Sequence, residues 1–168
     1  NKTIGLACTV ASSGTYSINW GDAAIETSRA STTRYEHQYA AVACTFEDAG
    51  DTVTKASHGL SNGDTIVLKT IVTTTGISID TTYYVVNKGT DTFQLATTSG
   101  GSPLALTSNG TGTVYLGGKY CSRGYTTFKI RIYGGSGNIT AFAIRHHSYT
   151  LISQTCGLLR AVLGTTEL

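Results

Sequence analysis

Alternation of apolar and polar residues with a period of two runs through most of this chain, and it predicts strands. Tyr16, Ile18 and Trp20 alternate with Ser17 and Asn19, and Phe128, Ile130 and Ile132 alternate with Lys129, Arg131 and Tyr133. A strand with one apolar face and one polar face covers a core on the first side and borders solvent on the second. Residues 134–138 (Gly-Gly-Ser-Gly-Asn) interrupt the second pattern and Thr140–Ile144 resumes it. Two strands joined by a glycine-rich loop read as a hairpin.

The middle of the chain carries its own turn punctuation. Asn62-Gly63-Asp64 separates Val53–Ala56 from Thr65–Thr70, and residues 87–91 (Asn-Lys-Gly-Thr-Asp) separate Tyr83–Val86 from Thr92–Ala96. Residues 109–112 (Asn-Gly-Thr-Gly) separate Leu104–Thr107 from Thr113–Leu116. Asn-Gly favours a hairpin because both residues accept positive φ. Short strands recurring between such turns predict a small barrel or sandwich. Before residue 150 no segment has a 3.6-residue period. Gln154–Leu163 is the one helical candidate, with Leu158, Leu159, Val162 and Leu163 on one side, and it reads equally as a strand pair broken at Gly157 and Gly164. The predicted fold class is all-β.

Composition narrows the function classes. Charged residues make up 13% of the chain and the net charge is +2, with no basic stripe, so nucleic acid is not an expected partner. No apolar run reaches the length that crosses a bilayer as a helix, and no signal peptide is visible, so membrane insertion is not expected. The absence of methionine predicts a chain that is processed or is a piece of a longer protein. A chain of this size buries enough surface to fold without metal or disulfide.

Cysteines stand at 8, 44, 121 and 156 with no CxxC spacing, so no zinc site is expected. Cys44 and Cys121 bracket the middle module. A bond between them would close a loop of about 75 residues and stabilise by roughly 4 kcal/mol; the other reading is buried thiols acting as small apolar residues.

Candidate chemistry is sparse. His146 and His147 are adjacent in a strand and point to opposite faces, so they do not share a metal. His58 precedes a turn glycine and is expected to fix that turn. Glu47, Asp48 and Asp51 sit close together in a glycine-containing loop, where solvated charge is the default. The remaining carboxylates are scattered, whereas a glycosidase needs two flanking one cleft. No G-x-S-x-G or Cys–His arrangement is present. We therefore expect no enzyme, no cofactor and no metal. Ten tyrosines are distributed along the strands. Tyr83, Tyr84, Tyr115 and Tyr120 are candidates for a surface that stacks on a sugar or seats a partner. Three N-x-T sequons, at Asn1, Asn109 and Asn138, matter only for a chain that passes a glycosylating route.

Trp20-Gly21-Asp22 is the sharpest local motif. Tryptophan at a strand end buries a large apolar face, glycine permits a sharp turn, and aspartate accepts backbone N–H groups in it. With Tyr16-Ser-Ile-Asn before it and Tyr35-Glu-His-Gln-Tyr39 after it, this stretch resembles the polycystic-kidney-disease (PKD) domain. That family's signature is W-G-D-G followed by H-x-Y. Trp20, Gly21, Asp22, His37 and Tyr39 match, and Ala23 stands in place of the last glycine. The resemblance covers the start of the chain through about residue 40 and, more weakly, the stretch after residue 120. It implies an immunoglobulin-like sandwich, with Gly124 and Tyr125 among its structural motif residues and His37 packed and hydrogen-bonded inside it.

The middle module carries a second resemblance. Residues 54–68 (TKASHGLSNGDTIVL), 82–87 (TYYVVN), 91–96 (DTFQLA) and 110–112 (GTG) are similar to a small β module of bacteriophage tail, fibre and other virion proteins. Together the two resemblances imply a discontinuous frame, 1–44 with 117–150, interrupted by an inserted module, 45–116, and followed by an apolar tail, 151–168, that docks on the frame or begins a further domain. Such an insertion costs little, since loop-closure entropy grows only logarithmically with length. The implied role is a structural virion component that assembles with other virion proteins and with itself. The alternative is a module that binds a host cell-surface glycan, carried by a receptor-binding protein or a bacterial adhesin. The implied location is the virion or, on the alternative, the bacterial cell surface.

Overall fold

The structure is a computed structural model that describes residues 2–10, 14–122, 124–134, 139–146, 162–163 and 166–167. It is all-β: the described residues form strands and turns, with no helix among them. The chain divides into two compact units, one made of Asn1–Ala40 with Lys129–Leu168 and the other of Ala41–Phe128.

The unit built from both ends of the chain holds two three-stranded antiparallel sheets. In the first, β1 (Lys2–Val10) lies between β4 (Arg34–Tyr39) and β14 (Ile139–His146). In the second, β2 (Thr15–Asn19) lies between β3 (Ile25–Ala30) and β13 (Arg131–Gly134). The alternation in β2 has its predicted effect: Tyr16, Ile18 and the following Trp20 are fully buried. From β1, Leu6, Cys8 and Val10 join the buried set. Hydrogen bonds tie β1 and β2 to residues 31–33, the turn that links the two sheets. The Val10 N–H donates to Ser31 Oγ, the Thr32 N–H to the Cys8 carbonyl, and the Tyr16 hydroxyl to the Thr33 carbonyl.

Two sequence expectations need correction in this unit. The expected hairpin across residues 134–138 is not one, because β13 pairs with β2 while β14 pairs with β1. Each strand has an apolar face to cover, and the two take long-range partners in different sheets. Residues 135–138 themselves lie outside the described residues. The alternating strand read from Phe128 to Tyr133 is also shortened: β13 begins only at Arg131. Before it, β12 (Tyr125–Thr127) pairs with β11 (Lys119–Cys121). Gly124 and Tyr125, expected as frame residues, thus fall within the Ala41–Phe128 unit.

That second unit is a closed six-stranded barrel. Its strands are β5 (Val42–Glu47), β6 (Thr52–Thr54), β7 (Thr65–Val72), β8 (Thr82–Val86), β9 (Thr92–Ala96) and β10 (Gly110–Leu116), in the spatial order β10-β5-β6-β9-β8-β7. Pairing of β10 with β7 closes the ring. In β5, Cys44 and Phe46 point inward and Ala43, Thr45 and Glu47 outward. The core gathers Phe46, Val53, Ile66, Leu68, Val85, Phe93, Leu95 and Val114 with residues from the connecting loops. Gly112 is required where β10 crosses Phe46: a Cβ there would stand 2.3 Å from the Thr70 carbonyl oxygen and 2.9 Å from the Phe46 ring.

The β8–β9 turn at 87–91 is a hairpin, with Val86 opposite Gln94. The other two turn signals are not. β6 pairs with β5 and β9, and β7 with β10 and β8, so Asn62-Gly63 makes no β6–β7 hairpin. Instead its turn docks on β8, with the Gly63 N–H donating to the Val85 carbonyl and the Val85 N–H to the Asp64 carbonyl. Likewise Leu104–Thr107 is not a strand, and β10 takes its partners from β5 and β7. Barrel closure satisfies the backbone of these strands through distant partners, which local turn chemistry does not encode.

Candidate functional site

The five motif residues at the start of the chain converge. Trp20 is fully buried at the end of β2, and the His37 ring from β4 stacks on it, with centroids 4.9 Å apart and planes 13° from parallel. Tyr39 meets the His37 ring edge-on at 4.8 Å, and its hydroxyl donates to the Trp20 carbonyl at 2.6 Å. His37 Nε2 lies 2.6 Å from Asp22 Oδ2, while Asp22 Oδ1 accepts the Ala24 N–H. Gly21 has φ +86° and its Cβ position falls 2.4 Å from the Lys129 carbonyl oxygen, so only glycine fits. Ala23, two residues further on, adopts φ +70°. The turn therefore keeps a glycine-like conformation at the strain an L-residue carries there.

This cluster is a tertiary clasp between the two sheets. The Asp22–His37 pair could suit proton transfer, but Trp20 covers one face of the imidazole and Tyr39 abuts it. Among the described residues, Asp22 is the hydrogen-bond partner of His37. Burial, with the Asp22 carboxylate adding to it, pushes the Tyr39 hydroxyl well above the ordinary phenol range. Burial also pushes the Cys8 thiol up to about 11.

In the barrel, Tyr83 is corrected as a surface candidate. It is 4% exposed, part of the core, and its hydroxyl accepts the Ser78 N–H. The period of two that hides Tyr83 turns Tyr84 outward, where it is half-buried. Tyr115 and Tyr120 are also half-buried. Val67 pairs with Thr82 on one side and Tyr115 on the other, so these residues share the outer face with Thr65 and its partner Tyr84. The β11–β12 hairpin lies over that face. Thr82 Oγ1 accepts the Tyr120 N–H, Phe128 meets the Tyr115 ring at 5.8 Å, and Val67 is fully buried beneath. The outer face of the barrel thus carries Tyr84 and Tyr115, and Tyr120 lies on the hairpin bonded to it through Thr82. Of the frame candidates, Gly124 closes the β11–β12 turn through its N–H to the Cys121 carbonyl. Tyr125 contributes backbone pairing to Cys121, and its side chain lies outside the described residues.

Other polar candidates have structural partners. His58 is 1% exposed and its Nδ1 accepts the Leu60 N–H, which holds the turn at Gly59. Asp51 Oδ1 accepts the Leu106 N–H, and the Asp48 N–H donates to Asn109, so the 47–51 loop is a docking point for the 106–109 segment. Cys44 carries a free, buried thiol pushed up to about 11 by burial; a Cys44–Cys121 bond is not formed. Cys156, His147 and residues 154–161 of the helical candidate lie outside the described residues. Val162 and Leu163 pair with Thr166–Glu167 as short strands. Among the described residues no three His, Cys, Asp or Glu side chains converge as a metal site, and no helix is long and apolar enough to cross a membrane.

One feature escaped sequence reasoning. A polar cleft of about 280 Å³ opens on the barrel between the Asn62-Gly63 turn, the end of β8 and residues 99–101. Of its lining residues, Asn62 and Asn87 read in the sequence only as turn formers, and Ser99 carries no signal there.

No protein-family model, curated protein or solved structure matches the chain.

Proposed function

We propose that the chain is a non-enzymatic structural component of a bacteriophage virion, a tail, fibre or surface-decoration protein, working through protein–protein assembly and display of its barrel. In this reading the two three-stranded sheets form an immunoglobulin-like sandwich of the PKD type. The observation that carries it is the clasp: Trp20, Gly21, Asp22, His37 and Tyr39 meet around one buried tryptophan, and the segment between the two halves of the frame closes into a barrel of its own. The similarity of residues 54–112 to a virion β module supplies the setting.

The distribution of sheet edges supports assembly through the frame. A closed barrel has no edge to pair with. Among the described residues, the frame's edge strands are β3, β4, β13 and β14. On β3, the Glu26–Arg29 ion pair (3.0 Å) lies on the same face as its cross-strand partners Ile18 and Tyr16, and the strand is bulged. Inward charge and a bulge both protect an edge from strand addition, which leaves β4, β13 and β14 for contact with neighbours. Mass spectrometry of purified particles, with an antibody against residues 41–128, tests the proposal. The expected result is the chain among the particle proteins and label on intact particles; its absence from them overturns the reading.

A second reading, a cell-surface glycan binder, is favoured by one observation: Tyr84 and Tyr115 share the outer barrel face, Tyr120 lies on the hairpin bonded to that face, and all three are half-buried. Saturable binding on a glycan array, lost in Tyr84→Ala and Tyr120→Ala, is the expected outcome for that reading. A blank array on a correctly folded chain removes it.

A further inference from the structure

We infer that the polar cleft at Asn62, Asn87 and Ser99 is a binding site for a neutral monosaccharide unit, held through adjacent hydroxyl groups. This site is separate from the tyrosine-bearing residues and goes beyond the assembly role.

The argument rests on how the two carboxamides are oriented. Gln94 Nε2 donates to the Gly50 carbonyl at 2.7 Å, so its Oε1 faces Asn87. Asn87 Nδ2 donates to that oxygen at 2.6 Å. A carbonyl can only accept, so the chain of bonds fixes both amides and leaves Asn87 Oδ1 as an uncommitted acceptor. Asn62 is fixed the opposite way: its Oδ1 accepts the Lys88 N–H at 2.9 Å, which leaves Nδ2 as an uncommitted donor. The cleft is thus lined by two exposed carboxamides, one with an uncommitted acceptor and one with an uncommitted donor.

The remaining lining selects among ligands. No charged side chain lines the cleft, so an ion gains nothing there. Val85 belongs to the barrel core and borders the cleft beside the buried Val86, while Gly63, Gly100 and Gly101 add no side chains to fill the space. A volume of about 280 Å³ is just below that of drug-sized ligand sites, which begin at roughly 300 Å³, and suits a smaller ligand. A sugar ring meets these terms: each hydroxyl both donates and accepts, and the ring's C–H face is apolar. The hairpin at 87–91 and the docking of Gly63 and Asp64 on Val85 hold the two asparagines before any ligand arrives.

The test is titration of the full chain with D-glucose, D-galactose and N-acetyl-D-glucosamine, followed by backbone amide NMR. The expected result is saturable shifts at Gly63, Val86, Gly100 and Gly101 for at least one sugar, with a dissociation constant on the order of millimolar. Asn62→Asp keeps the acceptor for the Lys88 N–H and removes the donor, so it is expected to weaken binding about tenfold without unfolding the chain. Ser99→Leu fills the cleft from a side chain that makes no hydrogen bond, and is expected to weaken binding as much or more. Absence of saturable shifts, unchanged binding in both variants, or equal shifts with N-methylacetamide would overturn the inference. Shifts confined to Tyr84, Tyr115 and Tyr120 would also overturn it while supporting the glycan reading of that other face.

Discussion

The two units solve the problem of a small β core in different ways. The barrel closes its backbone pairing into a ring and fills the interior with aliphatic residues and with Phe46, Tyr83 and Phe93. The frame leaves two separate sheets and joins them through side chains: a tryptophan–histidine stack, a tyrosine hydroxyl on a main-chain carbonyl, and an Asp–His pair. Main-chain closure tolerates many sequences that keep the alternation. A side-chain clasp depends on particular residues, which is why a motif is legible in the frame and only a pattern of turns and strands is legible in the barrel.

The largest expected effects come from breaking either core. Trp20→Ala is expected to cost the frame about 3–5 kcal/mol, and Phe93→Ala the barrel about as much. Trp20 is the only tryptophan, so its fluorescence follows frame unfolding, while amide hydrogen exchange at Val85 and Leu95 follows the barrel. In Phe93→Ala the fluorescence transition should hold while barrel exchange accelerates; in Trp20→Ala barrel exchange should hold. Parallel loss in both variants would dissolve the contrast between the units.

Tyr39→Phe sharpens the claim about the clasp. It keeps the ring against His37 and removes the bond to the Trp20 carbonyl, leaving a buried acceptor unpaired, for an expected loss of about 1–3 kcal/mol in a denaturant titration. A change within error would reduce the clasp to packing alone. Ala23→Gly works in the other direction. Relief of the left-handed strain, less the unfolded-chain entropy that glycine adds, is expected to raise frame stability by on the order of 1 kcal/mol. A lower melting temperature would show that the turn has adapted to alanine.

Alkaline titration compares the units on equal terms, since Cys8 lies in the frame and Cys44 in the barrel. Each thiol is pushed from 9.0 to about 11 by burial. The neutral form is the one the fold favours, so this contribution is complete below pH 9 and is lost as pH rises toward 11. The frame also buries Tyr16 and Tyr39, whose hydroxyls are both raised by burial, so its loss is expected to continue where that of the barrel levels off. Fluorescence and hydrogen exchange followed from pH 8 to 11 read both; Cys8→Ala should flatten the frame's early part only.

Periodicity alone identified the strands around Tyr16–Trp20, Thr82–Val86 and Thr92–Ala96, because a period of two is a local property of the backbone. It also identified the 87–91 hairpin, whose strands are short-range partners. It misread the turns at 62–64, 109–112 and 134–138 as hairpins, since strands ending in such turns can satisfy their hydrogen bonds elsewhere. Tyr83 and Tyr84 show the limit for side chains: composition marked both, and only the barrel's inside and outside separated them. The cleft had no readable signal, because Asn62, Asn87 and Ser99 are ordinary turn residues until three loops meet.

The amino-acid order by itself determined that this protein is all-β, where its alternating faces lie, and which five residues near its start form a motif. The tertiary structure alone decided which strands share a sheet, that the central strands close into a ring, and which amide atoms are left uncommitted in the cleft. The physical reason is range. Side-chain alternation and backbone conformation act between neighbours in the chain, whereas sheet partners and hydrogen-bond orientation are fixed by groups that only folding brings together.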